Sequence, residues 1–243
     1  MGQGDCAVIR DSGRTILIDA GPAGRGADAG AKIIVPRLRA MGVGRVDLIL
    51  LSHPDSDHVG GTGAILDAYP EAKIGMSSEF HDHPAMNADL SRWKYNPDKV
   101  FWIPARANLR IGKTTIRVRC PELLPGSIDN DGSMCLRVQH GAATAIFTGD
   151  APMSVEEKLA FETDWSGDVL KVGHHGSRTA TCDAWINAVH PRWAVISCGK
   201  DNPYGHPHRD VVNRLEKAGI SILRTDLNGD ISFSIRDTHF ARD

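Results

Sequence analysis

Residues Leu48 to Gly61, LILLSHPDSDHVGG, constrain this chain more than any other stretch. An apolar run of strand length, Leu48 to Leu51, stops abruptly at a cluster holding His53, Asp55, Asp57 and His58, and two glycines follow before a helical pattern resumes. A loop at the end of a buried strand is where a rigid scaffold presents reactive side chains to a crevice, and Pro54 stiffens the turn that aims them. Asp, Ser and Pro are ordinary turn residues, but turn chemistry alone does not call for two His and two Asp in register.

Around this stretch the chain alternates strands and helices. Ala7 to Arg10 and Thr15 to Ala20 read as strands around the turn Asp11-Ser12-Gly13, the second ending at Asp19-Ala20-Gly21. Gly21 to Gly30 is a flexible connection, Ala31 to Met41 a helix containing Pro36, Val46 to Leu51 the strand that delivers the cluster, Gly60 to Tyr69 the next helix and Ala72 to Met76 the next strand. Met134 to Gln139 and Ala143 to Phe147 form a hairpin ending in Thr148-Gly149-Asp150, and Ser154 to Glu162 a helix with Ser154 and Glu157 as a capping box. Asp168 to Gly173 is a strand ending at His174-His175-Gly176-Ser177, and Trp193 to Cys198 another, leading into Asn202-Pro203-Tyr204-Gly205-His206-Pro207. A helix over His208 to Ala218 and strands over Ile220 to Arg224 and Asp230 to Ile235 close the second sheet. The expected class is α/β, two mixed sheets sandwiched between helices, in a single domain over residues 1–243.

With 41% hydrophobic residues the chain can bury a sizeable core without staples. A formal net charge of -2 advertises no general affinity for nucleic acid, so such a partner must be held by a local patch or by metals. Cys6, Cys120, Cys135, Cys182 and Cys198 are scattered singly, which argues for small buried residues rather than a disulfide framework and fits a cytosolic compartment. No apolar run approaches the roughly 18 residues of a spanning helix, so the chain itself should make no membrane contact.

Metal-binding side chains that arrive from several strand ends imply one shared site, since each end lies where clefts form in layered α/β folds. Between Arg92 and Arg119 a basic stretch includes Lys94, Lys99 and Arg106, interleaved with Trp93, Tyr95, Phe101 and Trp102. That mixture suits phosphates and stacked bases, and equally a solvated basic face over core aromatics. His81 and His83 fall in the loop before it.

The motifs HPDSDHVGG, TGD at Thr148 to Asp150, HHGS at His174 to Ser177 and YGHP at Tyr204 to Pro207 together resemble the metallo-β-lactamase superfamily. Within it they resemble the C-terminal hydrolase-like domain of ComEC-type DNA-internalisation competence proteins. The resemblance covers nearly the whole chain and implies an αββα sandwich. It implies two divalent metal ions, with His53 and Asp55 on one, Asp57 and His58 on the other, Asp150 bridging, and Asp19 as an acceptor that orients a ligand His. His174 and His206 compete for the last ligand position. His174, directly ending a strand, is preferred, with His175 and His206 placed to bind phosphate or protonate a leaving oxygen and Ser177 and Tyr204 beside the substrate.

The family's third motif supplies a His where this chain reads Asp129-Asn130-Asp131-Gly132-Ser133, leaving Asn130 or Asp131 as supporting groups. With Asp55 also in place of a His, the site should favour manganese, with zinc or magnesium as alternatives. The resemblance implies a nuclease that hydrolyses single-stranded DNA through a two-metal-activated hydroxide, linked to DNA uptake. A metal-dependent hydrolase of a lactone, thioester or β-lactam, and a metal-bound DNA-handling domain with little turnover, are the alternatives. A stand-alone chain reads as cytoplasmic; a piece of a competence transporter would work at the extracytoplasmic face of the cell membrane. The oligomeric state is not readable from these residues.

Overall fold

The structure, a computed structural model, describes residues 2–24, 27–93, 96–162, 164–236 and 239–243. Strands β1 (Ala7–Asp11) and β2 (Arg14–Ile18) form an antiparallel hairpin, and β3 (Ala23–Gly24) and β4 (Ala27–Asp28) a small one beyond it. The first sheet has the order β1-β2-β5-β6-β7, with β5 (Leu48–Leu50), β6 (Lys73–Ser77) and β7 (Val100–Ile103) running parallel to β2.

The second sheet has the order β14-β13-β12-β11-β10-β9-β8. Its antiparallel part is β8 (Arg106–Ile111), β9 (Thr114–Arg119), β10 (Cys135–His140) and β11 (Ala143–Phe147). Its parallel part continues from β11 through β12 (Val169–Lys171), β13 (Trp193–Ile196) and β14 (Ser221–Arg224).

The period-2 alternation of the strands builds the layers. On β2, Leu17 faces helices α1 (Val35–Ala40) and α3 (Thr62–Ala68) through Leu38, Ile65 and Leu66, while Ile16 and Ile18 face the other sheet. Between the sheets, Ile16, Ile18 and Leu50 pack on Ile116, Val118, Leu136 and Val138. On β10 the neighbouring Cys135 points the opposite way, into a layer with Trp165, Trp185 and Leu159 under α5 (Met153–Ala160) and α6 (Asp183–Val189). Helix α7 (Arg209–Lys217) covers β13 and β14 through Val211 and Leu215. The expected αββα sandwich is the architecture found.

Two local expectations are corrected. Helix α5 begins at Met153 with Pro152 as its cap and no capping side-chain hydrogen bond, so Ser154 and Glu157 form no box. The segment Asp230 to Ile235 does not join the second sheet: β15 (Phe233–Arg236) pairs with β16 (His239–Arg242), with Phe233 against Trp193 at a ring distance of 5.4 Å. All five cysteines are free. Among the described residues no helix is long and apolar enough to cross a membrane.

Candidate metal centre

The parallel strands carry their C-terminal ends to one seam between the sheets. Asp19 follows β2, the cluster His53 to His58 follows β5, Asp150 follows β11, His174 and His175 follow β12, and Ser197 and His206 follow β13. The chain leaves β2 through Asp19 in the left-handed region at φ 61°, which aspartate tolerates better than most residues. The Asp19 carboxylate takes the backbone and hydroxyl donors of Ser52 at 2.8 and 3.0 Å and lies 2.8 Å from Nδ1 of His58. Helix α2 (Ser56–Val59) carries Asp57 and His58 back towards the strands. Gly61 makes this return feasible, since a Cβ there would sit 2.2 Å from the Ala20 carbonyl oxygen.

His53 and His58 are fully buried with ring centres 4.2 Å apart. Ser52 Oγ lies 3.0 Å from Nδ1 of His53 and 3.3 Å from Nδ1 of His58, so the Nδ1 side of each ring is held by the protein and Nε2 is turned to the seam. His58 Nε2 faces Asp150 Oδ1 at 3.2 Å, and His53 Nε2 faces the Asp55 carboxylate at 3.4 Å. Asp150 is itself placed by its backbone N–H, which donates to Ser133 Oγ at 3.3 Å.

The second half of the site comes from the turn Gly173–Gly176, where both His174 and His175 adopt left-handed backbone angles, φ 47° and 53°. This aims two consecutive imidazoles inward. His175 is buried, with Nδ1 3.0 Å from the Ser197 carbonyl oxygen and Nε2 3.2 Å from Asp57 and 3.8 Å from Asp150. His174 is more exposed, its Nε2 3.6 Å from Asp150. Asp5 enters from the N-terminal segment, 3.5 Å from His175 Nδ1 and hydrogen-bonded to Nζ of Lys171. One ligand atom from each of Asp5, His58, Asp150 and His175 lies within 4.8 Å of the others, and all four residues are buried.

The electrostatics follow from this packing. Burial alone would raise the Asp150 carboxyl, but the neighbouring His58, His175 and His53 outweigh it and hold the pKa well below normal. Burial would lower His58, and the Asp150 and Asp19 carboxylates instead raise it well above the usual imidazole range. His175 is likewise pushed up to about 9, burial being overcome by Asp5, Asp57 and Asp150. His174 and His206 move the other way: burial lowers both, and in each case the charge of neighbouring histidines adds to it.

The residues present fit a divalent cation. Nε2 of His53 and of His58, Oδ1 of Asp150 and Oδ1 of Asp5 are all buried and make no hydrogen bond. Lone pairs buried without partners are costly, and a shared cation would satisfy them together. The carboxylates that raise two buried imidazoles also supply negative charge where such an ion would sit.

Several expected site residues lie elsewhere. Lys99 precedes β7 and donates to the Pro70 carbonyl and to Glu71, both before β6, at the opposite end of the parallel strands from the metal cluster. Arg106 pairs with Glu162 from the edge strand β8, separated from β11 by β9 and β10, three strand spacings of about 4.8 Å. Trp93 and Trp102 pack on the core beneath the first sheet. Lys99 and Arg106 are therefore not on a wall of this site; Lys94 and Tyr95 fall outside the described residues.

Asp131 turns back to accept from the Ile128 N–H at 3.0 Å, and Asn130 supplies its carbonyl to Ser133 N, so Ser133 is the member of that stretch that reaches Asp150. Ser177 Oγ is taken by Thr179 at 2.9 Å. Tyr204 stands exposed at the lip, its ring stacked 5.7 Å from His206. His83 meets Asp129 at 3.1 Å, and His81 stays with Asp82. Sequence reasoning missed Ser52, Ser133 and Lys171; it expects Gly2, Gln3, Gly4 and Asp5 to line the rim of the site, whereas Asp5 is buried within it, and the one signal for Lys171 was a Lys near the end of an apolar strand, one residue before GHHGS.

Comparison with known proteins agrees with this geometry. The family model described as Metallo-beta-lactamase superfamily matches residues 1–200. The chain is 35% identical over 238 residues to Competence protein ComA of Neisseria gonorrhoeae, covering 96% of this chain and 31% of that protein. It is 31% identical over 209 residues to ComE operon protein 3 of Bacillus subtilis (strain 168), covering 86% of this chain and 27% of that protein. The chain thus spans about a third or less of these relatives' length. Among solved structures, the metallo-beta-lactamase fold protein YhfI from Bacillus subtilis superposes with a TM-score of 0.59 at 13% identity, over 91% of this chain and 88% of that one. The diiron beta-hydroxylase CmlA from Streptomyces venezuelae gives 0.63 at 14% identity, over 91% and 51%. Matched across most of its length and carrying buried His and Asp donors at the seam of an αββα sandwich, this chain belongs to the metallo-β-lactamase superfamily.

Proposed function

We propose that this chain is a divalent-metal-dependent hydrolase of DNA phosphodiesters, acting on single strands in DNA uptake at the extracytoplasmic face of the membrane. The observation that carries the reading is the set of unpartnered buried atoms on His53, His58 and Asp150, facing His174 and His175 across one seam. His53, Asp55, Asp57, His58, Asp150 and His175 would hold the ions, with His174 as a further donor. Bound there, two divalent ions would activate a water and neutralise charge on a phosphate. The donor set is rich in carboxylate oxygen, which favours manganese over zinc.

This chain's own groups would do the rest. Asp19 and Ser52 keep His58 in one orientation, Ser197 does the same for His175, and His206, with its ring 6.0 Å from His174, is placed beside the cluster as a donor to a leaving oxygen. Tyr204, exposed and stacked on His206, offers a platform for an unpaired base. The named relatives are competence proteins, which favours DNA over a lactone, thioester or β-lactam.

The test is incubation of the purified chain with manganese and circular single-stranded DNA, the same DNA as duplex, and nitrocefin. Cleavage of the single strand, abolished in Asp150→Ala and unaffected by Lys99→Glu or Arg106→Glu, is expected. Nitrocefin hydrolysis with intact DNA would contradict the proposal.

A further inference from the structure

The segment Gly2 to Asp5 crosses the seam and touches both halves of the site. Asp5 N–H donates to the Asp57 carbonyl at 3.2 Å, Ser197 Oγ donates to the Gly4 carbonyl at 2.9 Å, and the Gln3 amide lies between Gly199 and His206. The crossing is tight: a Cβ on Gly4 would meet Pro22 at 2.5 Å and the Asp57 carbonyl oxygen at 2.8 Å, and Gly4 sits at φ 150°. So close a fit fixes where the Gln3 side chain can go.

The two ends of that amide can be told apart by chemistry. The Gly199 N–H, 3.1 Å away, can only donate, so the Gln3 atom facing it is the carbonyl oxygen. The other end, Nε2, 2.9 Å from His206 Nδ1, can then only donate to the ring. An Nδ1 that accepts carries no proton, so the neutral imidazole carries its hydrogen on Nε2. The backbone of His206 is held as firmly, its N–H donating to Asn202 Oδ1 at 3.0 Å and its carbonyl accepting from Asn202 Nδ2 at 2.6 Å.

We infer that Gln3 is a positioning residue that locks His206 in the Nε2–H tautomer, so that the neutral ring serves as a hydrogen-bond donor to a substrate oxygen and not as a metal ligand through Nδ1. The donor role rests on the proposed phosphodiester reading; the lock does not. Asn202, Gly199 and Gln3 form one frame around His206.

The test is nitrogen NMR of the full chain carrying labelled histidine, with zinc as a diamagnetic ion, in wild type and in Gln3→Glu. Wild type should show His206 with a protonated Nε2 and an unprotonated Nδ1. Glutamate presents only acceptors, so Gln3→Glu should move the proton to Nδ1. In the manganese enzyme kcat on single-stranded DNA should then fall by about tenfold or more, the cost of one lost hydrogen bond to a charged oxygen, with KM and metal content unchanged.

An Nδ1–H tautomer in wild type would overturn the inference even if every Gln3 variant failed to fold, and an unchanged kcat in a variant with the reversed tautomer would overturn the donor role. Wild type with the Nε2–H tautomer and no cleavage of DNA would instead refute the phosphodiester reading and leave the lock standing.

Discussion

Lys171 Nζ donates to the Asp5 carboxylate inside the protein, and the same carboxylate faces Nδ1 of His175 at 3.5 Å. Both side chains are almost completely buried, 11% and 8% exposed. Burial would lower the lysine pKa, but Asp5 overcomes it and raises it, so the pair is charged on both sides. The lysine thus balances one carboxylate of the group Asp5, His58, Asp150 and His175.

Removing one partner of such a pair strands the other charge in the interior. Lys171→Met is expected to destabilise the fold by about 3–5 kcal/mol. Lys171→Met combined with Asp5→Asn should recover much of that loss. Urea denaturation of the three proteins checks this, and equal stability of single and double variants would show that the pair is not coupled.

The two adjacent histidines of the Gly173–Gly176 turn should differ in what they hold. The sequence favours His174 as a ligand, but His175 is the one grouped with Asp5, His58 and Asp150. His175→Ala should lose bound metal during dialysis, whereas His174→Ala should retain most of it and lose turnover. Metal content by mass spectrometry of the dialysed proteins distinguishes them, and the reverse order would return His174 to the ligand position.

Glu156 on α5 titrates away from the site. It is fully buried, one oxygen accepting from Cys182 N–H at 2.8 Å and the other without a partner. Burial pushes its carboxyl up to about 7 against hydrogen bonds from Cys182 and Thr181 that pull it down. The folded state therefore binds its proton more tightly than the unfolded state, so stability falls as pH rises from the ordinary carboxyl range to about 7. The loss is about 3 kcal/mol at 1.36 kcal/mol per tenfold change in proton affinity. Glu156→Gln should abolish this slope, gaining on wild type between pH 5 and pH 8 in thermal denaturation. Parallel curves for the two proteins would contradict the assignment.

What the sequence revealed and what it hid divide by distance along the chain. The strand ends that carry His53, Asp150 and His174 are legible because an apolar run breaking into metal-binding residues is a local pattern. Asp19 beside His58 follows from two such ends meeting in a parallel pair. Lys99 and Arg106 were not legible as distant from the site because their charges are answered by acids distant in sequence, Arg106 by Glu162 and Lys99 by Glu71. Lys171 escaped notice, and the contact of Gln3 with His206 stayed hidden, for the same reason: the partners Asp5 and His206 become neighbours only when the sheets close on the N-terminal segment. The capping box on α5 failed because the helix starts one residue earlier, after Pro152.

The central claim is that His53, His58, Asp150 and the turn histidines build one site for two coupled ions. Electron paramagnetic resonance of the chain titrated with manganese reads this directly. The account predicts saturation at two ions per chain with the spectrum of a spin-coupled pair, and in Asp150→Ala loss of that coupling together with weaker binding of both ions. A spectrum of isolated manganese at every ratio, or a coupled pair that survives Asp150→Ala unchanged, would contradict it.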